Sequence, residues 1–434
     1  MSEQSVIVQK ISWQDLCPWT LIFKTLPVAS SVTVLVFALL GVLLTPMGWL
    51  LSQTLFLHDA QRADDVLMRT TELNASPYRS VFPESDQQVG AIEILGSQFS
   101  GPRMVFEQLV RPFRLLFDGT RGGWEFCYFL LGSTWSILVW SFVGLAITRV
   151  CLLRLTRNEH FGLDDAFEFA MEKWLTTAGA IGIPLAAVAV LCIPTFLIGL
   201  FMGFDVGVML VGVFWFIVLL LAIAMSLLLL GLMFGWPLMV ASVAAESQNS
   251  FDAMTRSYAY TFQRPLHYAF YMLIAILFGG FCWMIIGTLT QGVVQMAYWS
   301  TSWGTGLYGS DRIDVIQGFL PGPTNLPTPP ALATAVDGGN TEVVASGSKS
   351  LEVGRGLIGL WNAFVKTLAA AFIYGLFWCQ AAAIYLLLRK DVDETEMDEI
   401  YVADEKRTYE LPPLKSDASG IPQVQSLVAV EDTQ

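Results

Sequence analysis

The sequence predicts an all-α integral membrane protein with six transmembrane helices and two cytoplasmic interfacial amphipathic helices. Three observations predict it. Apolar residues make up 54% of the 434 and charged residues only 14%, where an ordinary globular domain carries about 25% charged. The mean hydropathy is +0.56, with 14 Trp and 29 Phe. Six stretches reach the ~20 apolar residues that a helix needs to cross a ~30 Å hydrocarbon core. The same composition excludes a disordered or collagen-like chain. The net charge of −13 leaves no large basic field, so a nucleic-acid partner is excluded.

Taken in order, residues 1–26 form an N-terminal interfacial segment. Ile11, Trp13, Leu16, Trp19 and Phe23 alternate with polar residues there, and Trp favours the headgroup layer. The first transmembrane helix is 27–51. It is too long for a cleaved leader and no small-x-small site follows, so it reads as a signal anchor. Residues 52–123 form an extracytoplasmic region. An amphipathic helix is expected from Phe56 to Leu73, a short strand over Ala91–Leu95, and a second helix from Val105 to Phe117, bent at Pro112. With few apolar positions, this region packs on the membrane or a partner rather than folding alone. Residues 124–299 hold a four-helix membrane core with spans 124–147, 176–199, 206–234 and 267–289. Residues 300–356 are a Gly/Pro-rich extracytoplasmic loop, since Pro321-Gly-Pro323 and Pro327-Thr-Pro-Pro330 suit neither helix nor ladder. The sixth transmembrane helix is 357–388. An acidic cytoplasmic tail, 389–434, carries 12 acidic and 5 basic residues. Most of it is expected to stay solvated, with Asp391–Glu399 available to a basic protein partner.

Orientation follows from the short connections. Arg149, Arg154, Arg157 and Lys173 lie between the second and third spans, Arg256 and Arg264 between the fourth and fifth, and Arg389 and Lys390 directly after the sixth. The turn at 201–205 has no base. The positive-inside rule then places both termini in the cytoplasm of a cell membrane, here a bacterial inner membrane. Seven arginines in 52–123 pull the other way, but a loop beyond ~60 residues escapes the rule.

An internal echo marks the two interfacial helices. Glu159 precedes Asp165-Ala166 as Glu246 precedes Asp252-Ala253, at an offset of 87 in both cases. Leu163, Ala166, Phe167, Ala170, Met171 and Trp174 share one helical face. Phe251, Met254, Tyr258 and Phe262 do the same, with Asp252, Arg256 and Gln263 opposite. Ser250 suits an N-cap, and Asp252 in the first turn suits the helix dipole. Arg256 and Arg264 could meet anionic headgroups, or pair with Glu246 or Asp252.

Trp236-Pro237, Glu246, Ser250-Phe-Asp-Ala-Met-Thr-Arg-Ser257 and Arg264-Pro265 form a pattern that resembles uncharacterised bacterial multi-pass proteins. It is weakly similar to the membrane domain that accompanies glycerophosphodiester phosphodiesterases. Ile147-Thr-Arg149, Glu159-His-Phe-Gly-Leu163 and Ile384–Arg389 with Asp391–Glu399 look like hypothetical membrane proteins of planctomycete type. The resemblance covers residues 125–290 and 370–402. It implies a helical membrane domain without catalysis, because the phosphodiesterase's catalytic domain has no counterpart here.

Signals for chemistry are sparse. His58, His160 and His267 share no helix at i, i+4, so neither a buried bis-His haem nor an H-E-x-x-H zinc site is expected. No P-loop and no G-x-S-x-G elbow occurs. The six cysteines form no C-x-x-C pair and read as small core hydrophobes. No metal, cofactor or catalytic residue is therefore expected. Pro184 and Pro194 kink the third span, and the carbonyls they free could line a broken helix. Gln380 suits a hydrogen bond across helices, and Lys366 can snorkel to the outer boundary. Gly199, Gly203 and Gly207 straddle a short turn. The functional expectation is a non-enzymatic scaffold or assembly component in contact with the lipid bilayer. The alternative is a small-solute transporter or permease built from two related helix-pair units.

Overall fold

The computed structural model describes residues 17–56, 101–116, 123–159, 161–306, 349–395 and 399–401. Every regular element among them is helical. A 3-10 turn, Pro18–Lys24, leads into α1 (Thr25–Ala29) and α2 (Val32–Phe56). There follow α3 (Gly101–Leu116), α4 (Gly123–Thr156), α5 (Leu163–Phe201), α6 (Asp205–Val213) and α7 (Trp215–Glu246). Last come α8 (Ser250–Gln263), α9 (Pro265–Gly306) and α10 (Lys349–Asp393). Six of these helices, α2, α4, α5, α7, α9 and α10, are long and apolar enough to cross a membrane.

Local chemistry sets the ends. Asp164 and Asp165 occupy the first turn of α5 and Asp252 that of α8, where a carboxylate meets the positive end of the dipole. Pro265 opens α9, a position at which its missing N–H costs nothing. Chain reversal after α7 uses Ser247 in the left-handed region, at φ 54°.

The core lies on α4 and α10, whose apolar windows are 83% and 94% buried, whereas those of α5 and α7 are 17% and 6% buried. Glycines let aromatic rings enter the helix contacts. A Cβ at Gly144 would lie 2.6 Å from the Trp378 ring, and one at Gly132 would fall within the Trp49 ring. Trp140 stacks on Tyr374 at 4.8 Å, and Trp378 meets Trp236 edge-on at 5.3 Å.

Several boundaries depart from the sequence reading. The first interfacial helix is not separate: it continues into the third span as α5, 39 residues long. Nothing between Trp174 and Thr177 can break a helix, so the change from amphipathic to apolar leaves no mark on the backbone. The stretch expected to be the second interfacial helix forms a separate helix, α8. Its N-cap is Asn249, because the Ser250 hydroxyl donates instead to the Thr176 carbonyl at 2.8 Å. The fourth span divides at Phe214 into α6 and α7. The glycine motif straddles the turn, with Gly199 in α5, Gly203 between the helices and Gly207 in α6, where Gly207 closely approaches the Phe201 carbonyl. The described end of the N-terminal segment packs inward: Leu21 and Ile22 are buried, and Phe23 meets Phe278 edge-on at 4.8 Å, while Ile11, Trp13 and Leu16 lie outside the described residues. The expected second outer helix spans Gly101–Leu116 rather than Val105–Phe117, and it packs within the bundle. Helical structure reaches Gly306 and resumes at Lys349, well inside the expected 300–356 loop. The expected helix beyond Phe56, the strand at 91–95 and most of the acidic tail lie outside the described residues.

Candidate functional site: a polar clamp at the arginine rim

One end of the bundle gathers the buried charges. Glu246 is the last residue of α7. Arg256 Nη1 lies 2.7 Å from its Oε1 and 2.6 Å from its Oε2, and Arg389 Nε lies 3.1 Å from Oε1. The Tyr385 hydroxyl donates to Oε1 at 3.1 Å, and the Gln248 amide donates to Oε2. Arg256 also lies 3.8 Å from Asp393, which accepts the Tyr260 hydroxyl. Next to it, the Tyr271 hydroxyl donates to Asp391 at 2.8 Å. A carboxylate at a helix C-terminus faces the negative end of the dipole, so the two arginines are what make Glu246 tolerable there.

A second layer fastens the chain after α10. Three consecutive carbonyls each accept a different arginine: Glu399 from Arg389 at 2.7 Å, Ile400 from Arg157 at 3.2 Å and Tyr401 from Arg149 at 2.6 Å. The Tyr401 N–H donates to the Ala245 carbonyl at 3.0 Å, and Arg149 donates to the Ala244 carbonyl at 2.8 Å. These are among the last carbonyls of α7, which have no partner within their own helix. The guanidinium of Arg149 sits 4.6 Å from the centre of the Phe169 ring, a cation–π contact. Arg149 and Arg389 are 3% and 6% exposed, and Ile400 is 3% exposed. The tail is thus anchored at its start.

The sequence candidates fall into two groups. Glu246 and Arg256 meet here. Glu159, Asp252 and Arg264 lie exposed, Glu159 close enough to Arg149 to favour its charge, and Asp165 accepts the Gly162 N–H at 3.3 Å at the start of α5. Pro184 is buried in α5 and Pro194 half-buried. Gln380 donates to the Ala275 carbonyl at 3.1 Å, across helices. Lys366 is half-buried within α10. Sequence reasoning used Arg149, Arg157 and Arg389 for orientation alone and missed the clamp. The available signal was Arg149 itself, one charge inside the apolar run from Val143 to Leu153.

Two cavities lie among the helices. One, of about 160 Å³, is lined by Leu109, Trp140, Ile181, Leu185, Trp236 and Trp378 among others. The other, of about 90 Å³, includes Arg103, Tyr268, Phe377 and Gln380. Apart from those few polar groups and two serines, their walls are apolar. No group of three or more His, Cys, Asp or Glu is placed to hold a metal among the described residues.

Two predictions arise from the clamp. Ile400→Asp should free the strap, because burying an Ile side chain is worth about 1.5–3 kcal/mol. Hydrogen exchange at the Tyr401 amide should speed up by about tenfold or more; an unchanged rate would show that the arginines alone hold the strap. The second concerns alkali. Burial pushes the Tyr258 hydroxyl up to about 12. Burial first, and then Tyr385 and Asp393, push Tyr260 higher still. Both pKa values are raised in the folded chain, so their contribution is complete below the ordinary phenol value of about 10. It is lost as pH rises past that value through the folded ones. Tyrosinate absorbance in a pH titration should therefore appear together with loss of α8 from the rim, and above pH 10.

No protein-family model, curated protein or solved structure matches this chain.

Proposed function

We propose that this chain is a non-enzymatic, multi-pass membrane scaffold or assembly component that presents its acidic tail to a protein partner. The observation that carries the reading is where the polar groups go. At the arginine rim Glu246, Arg149, Arg157 and Arg389 are engaged in holding helix ends and the strap, so they bear on architecture and not on turnover. The apolar cavity walls favour lipid or hydrocarbon contents over a hydrated solute path. The clamp also fixes where the tail leaves the bundle, at Tyr401, which gives a partner a defined point of attachment.

The test is a truncation after Tyr401, which keeps the clamp and removes residues 402–434. The full-length protein, affinity-purified from its native membrane, should bring down a defined partner that the truncated protein loses. An unchanged partner set would overturn the role of the tail. Reconstitution supplies the counter-test: solute movement above that of empty liposomes would favour the permease reading, with the kinked third span at Pro184 and Pro194 as its first suspect.

A further inference from the structure

The larger cavity gathers polar groups that the fold itself does not use. The indole N–H groups of Trp140, Trp236 and Trp378 and the hydroxyl of Ser141 are buried without a hydrogen-bond partner among the described residues. All four residues belong to the wall of that cavity, and they come from three helices, α4, α7 and α10. Trp378 does meet Trp236 edge-on at 5.3 Å, but a ring face is only a second-order acceptor. An indole can donate and never accept, and a buried donor without an acceptor carries its full desolvation penalty. What these groups lack in common is an acceptor.

Depth narrows what can supply it. At 1.5 Å per residue, Trp140 lies about 14 Å along α4 from Arg149, Trp236 about 15 Å along α7 from Glu246, and Trp378 about 17 Å along α10 from Arg389. These rulers put the cavity near the middle of a ~30 Å hydrocarbon core, so that phospholipid carbonyls, at the edge of the core, are ~15 Å away. Among the described residues no charged side chain lines the cavity, and an anion without a base is costly at this depth. The acceptor is therefore a neutral oxygen on an otherwise apolar molecule.

Size and shape narrow it further. The cavity measures about 160 Å³, and an apolar cavity of about 150 Å³ takes up benzene. Trp140 and Trp378 lie 22° from parallel with centroids 6.2 Å apart, an arrangement that suits flat rings. Trp140, Ser141, Ile181 and Trp378 are buried in the wall, whereas Leu185 and Leu232 are half-buried. These last two belong to α5 and α7, whose apolar windows are the least buried of the six, so the cavity reaches the lipid-facing side there.

We propose that this cavity binds a flat, uncharged ring carrying a carbonyl, of the aryl ketone or quinone class, which enters from the lipid. The aromatic and aliphatic walls hold its apolar body, and the indole N–H groups with Ser141 select its oxygen, the usual division of labour in a small-molecule site.

The depth argument rests on the membrane reading above, which resistance of the native protein to alkaline carbonate extraction tests by itself. Binding is then read from thermal unfolding of the full-length protein in phosphatidylcholine nanodiscs, with acetophenone and ethylbenzene compared at equal mole fraction in the lipid. Acetophenone should bind about tenfold more tightly, the size of one good hydrogen bond. Trp378→Phe and Trp236→Phe each keep a ring and lose its N–H, and each should cut that preference to about threefold or less. Unchanged ethylbenzene binding in the same variants shows that the cavity is intact. Ile181→Phe, which fills the cavity, should abolish binding of both probes. Competition by 2-decyl-1,4-benzoquinone would assign the site to the ring of a tailed lipid; its exclusion, with acetophenone bound, would assign it to a free ring. Equal affinity for acetophenone and ethylbenzene overturns the proposal, as does a melting temperature that neither probe shifts. So does a ketone preference that survives Trp236→Phe, Trp378→Phe and Ser141→Ala.

Discussion

Glu246→Ala should be the most damaging single change at the arginine rim. It leaves Arg389 buried with its charge uncompensated and removes the acceptor for Tyr385 and Arg256. Breaking a buried ion pair costs ~3–5 kcal/mol. The low end, about 3 kcal/mol, is expected here because the Arg256 side chain is 39% exposed and so regains water. Glu246→Gln keeps an acceptor at the same place and should cost about half as much. Thermal unfolding in nanodiscs measures both, and equal losses for Ala and Gln would show that the charge, not the hydrogen bonds, is what the rim requires.

The second large effect is steric and lies at the opposite end. Gly132→Leu should expel Trp49, which is 1% exposed and packed edge-on against Tyr128 at 5.4 Å. The displaced ring also gives up its bond to the Ser136 hydroxyl at 3.2 Å. Overpacking of this kind costs about 1–3 kcal/mol, and Trp49→Ala alone about 3–5 kcal/mol. The two residues occupy one space, so the double variant should be less damaged than the sum of the singles. Strict additivity would mean that Trp49 finds another pocket in the Gly132→Leu protein.

Much of the architecture was legible because its cause is local. Twenty apolar residues in a row leave few options other than a buried or lipid-facing helix, and the six spans follow from that. The pairing of Arg256 with Glu246 was one of the open alternatives, since the two are near in sequence. The clamp was not legible. Arg149 meets Tyr401 from 252 residues away, and no periodicity in one sequence reports such a contact. Depth was hidden for a different reason. The amphipathic pattern of α3 is the same whether its apolar face meets a membrane surface or the inside of a bundle. The sequence therefore suggested an outer-surface helix where packing places one beside Gly279. The continuity of α5 was hidden too, because its sequence passes from amphipathic to apolar near Leu175 without any change in the backbone.

Fastening the strap through its main chain has an evolutionary consequence. Every residue type offers the same carbonyl, so the three arginines hold positions 399–401 without reading their side chains. Among side chains only the middle one is constrained, by the greasy recess that Ile400 fills. Glu399 can drift, and Tyr401 can drift to any residue but proline, whose missing N–H would forfeit the bond to Ala245; whatever charge or bulk selection installs there is displayed at a fixed spot without loosening the knot beneath it.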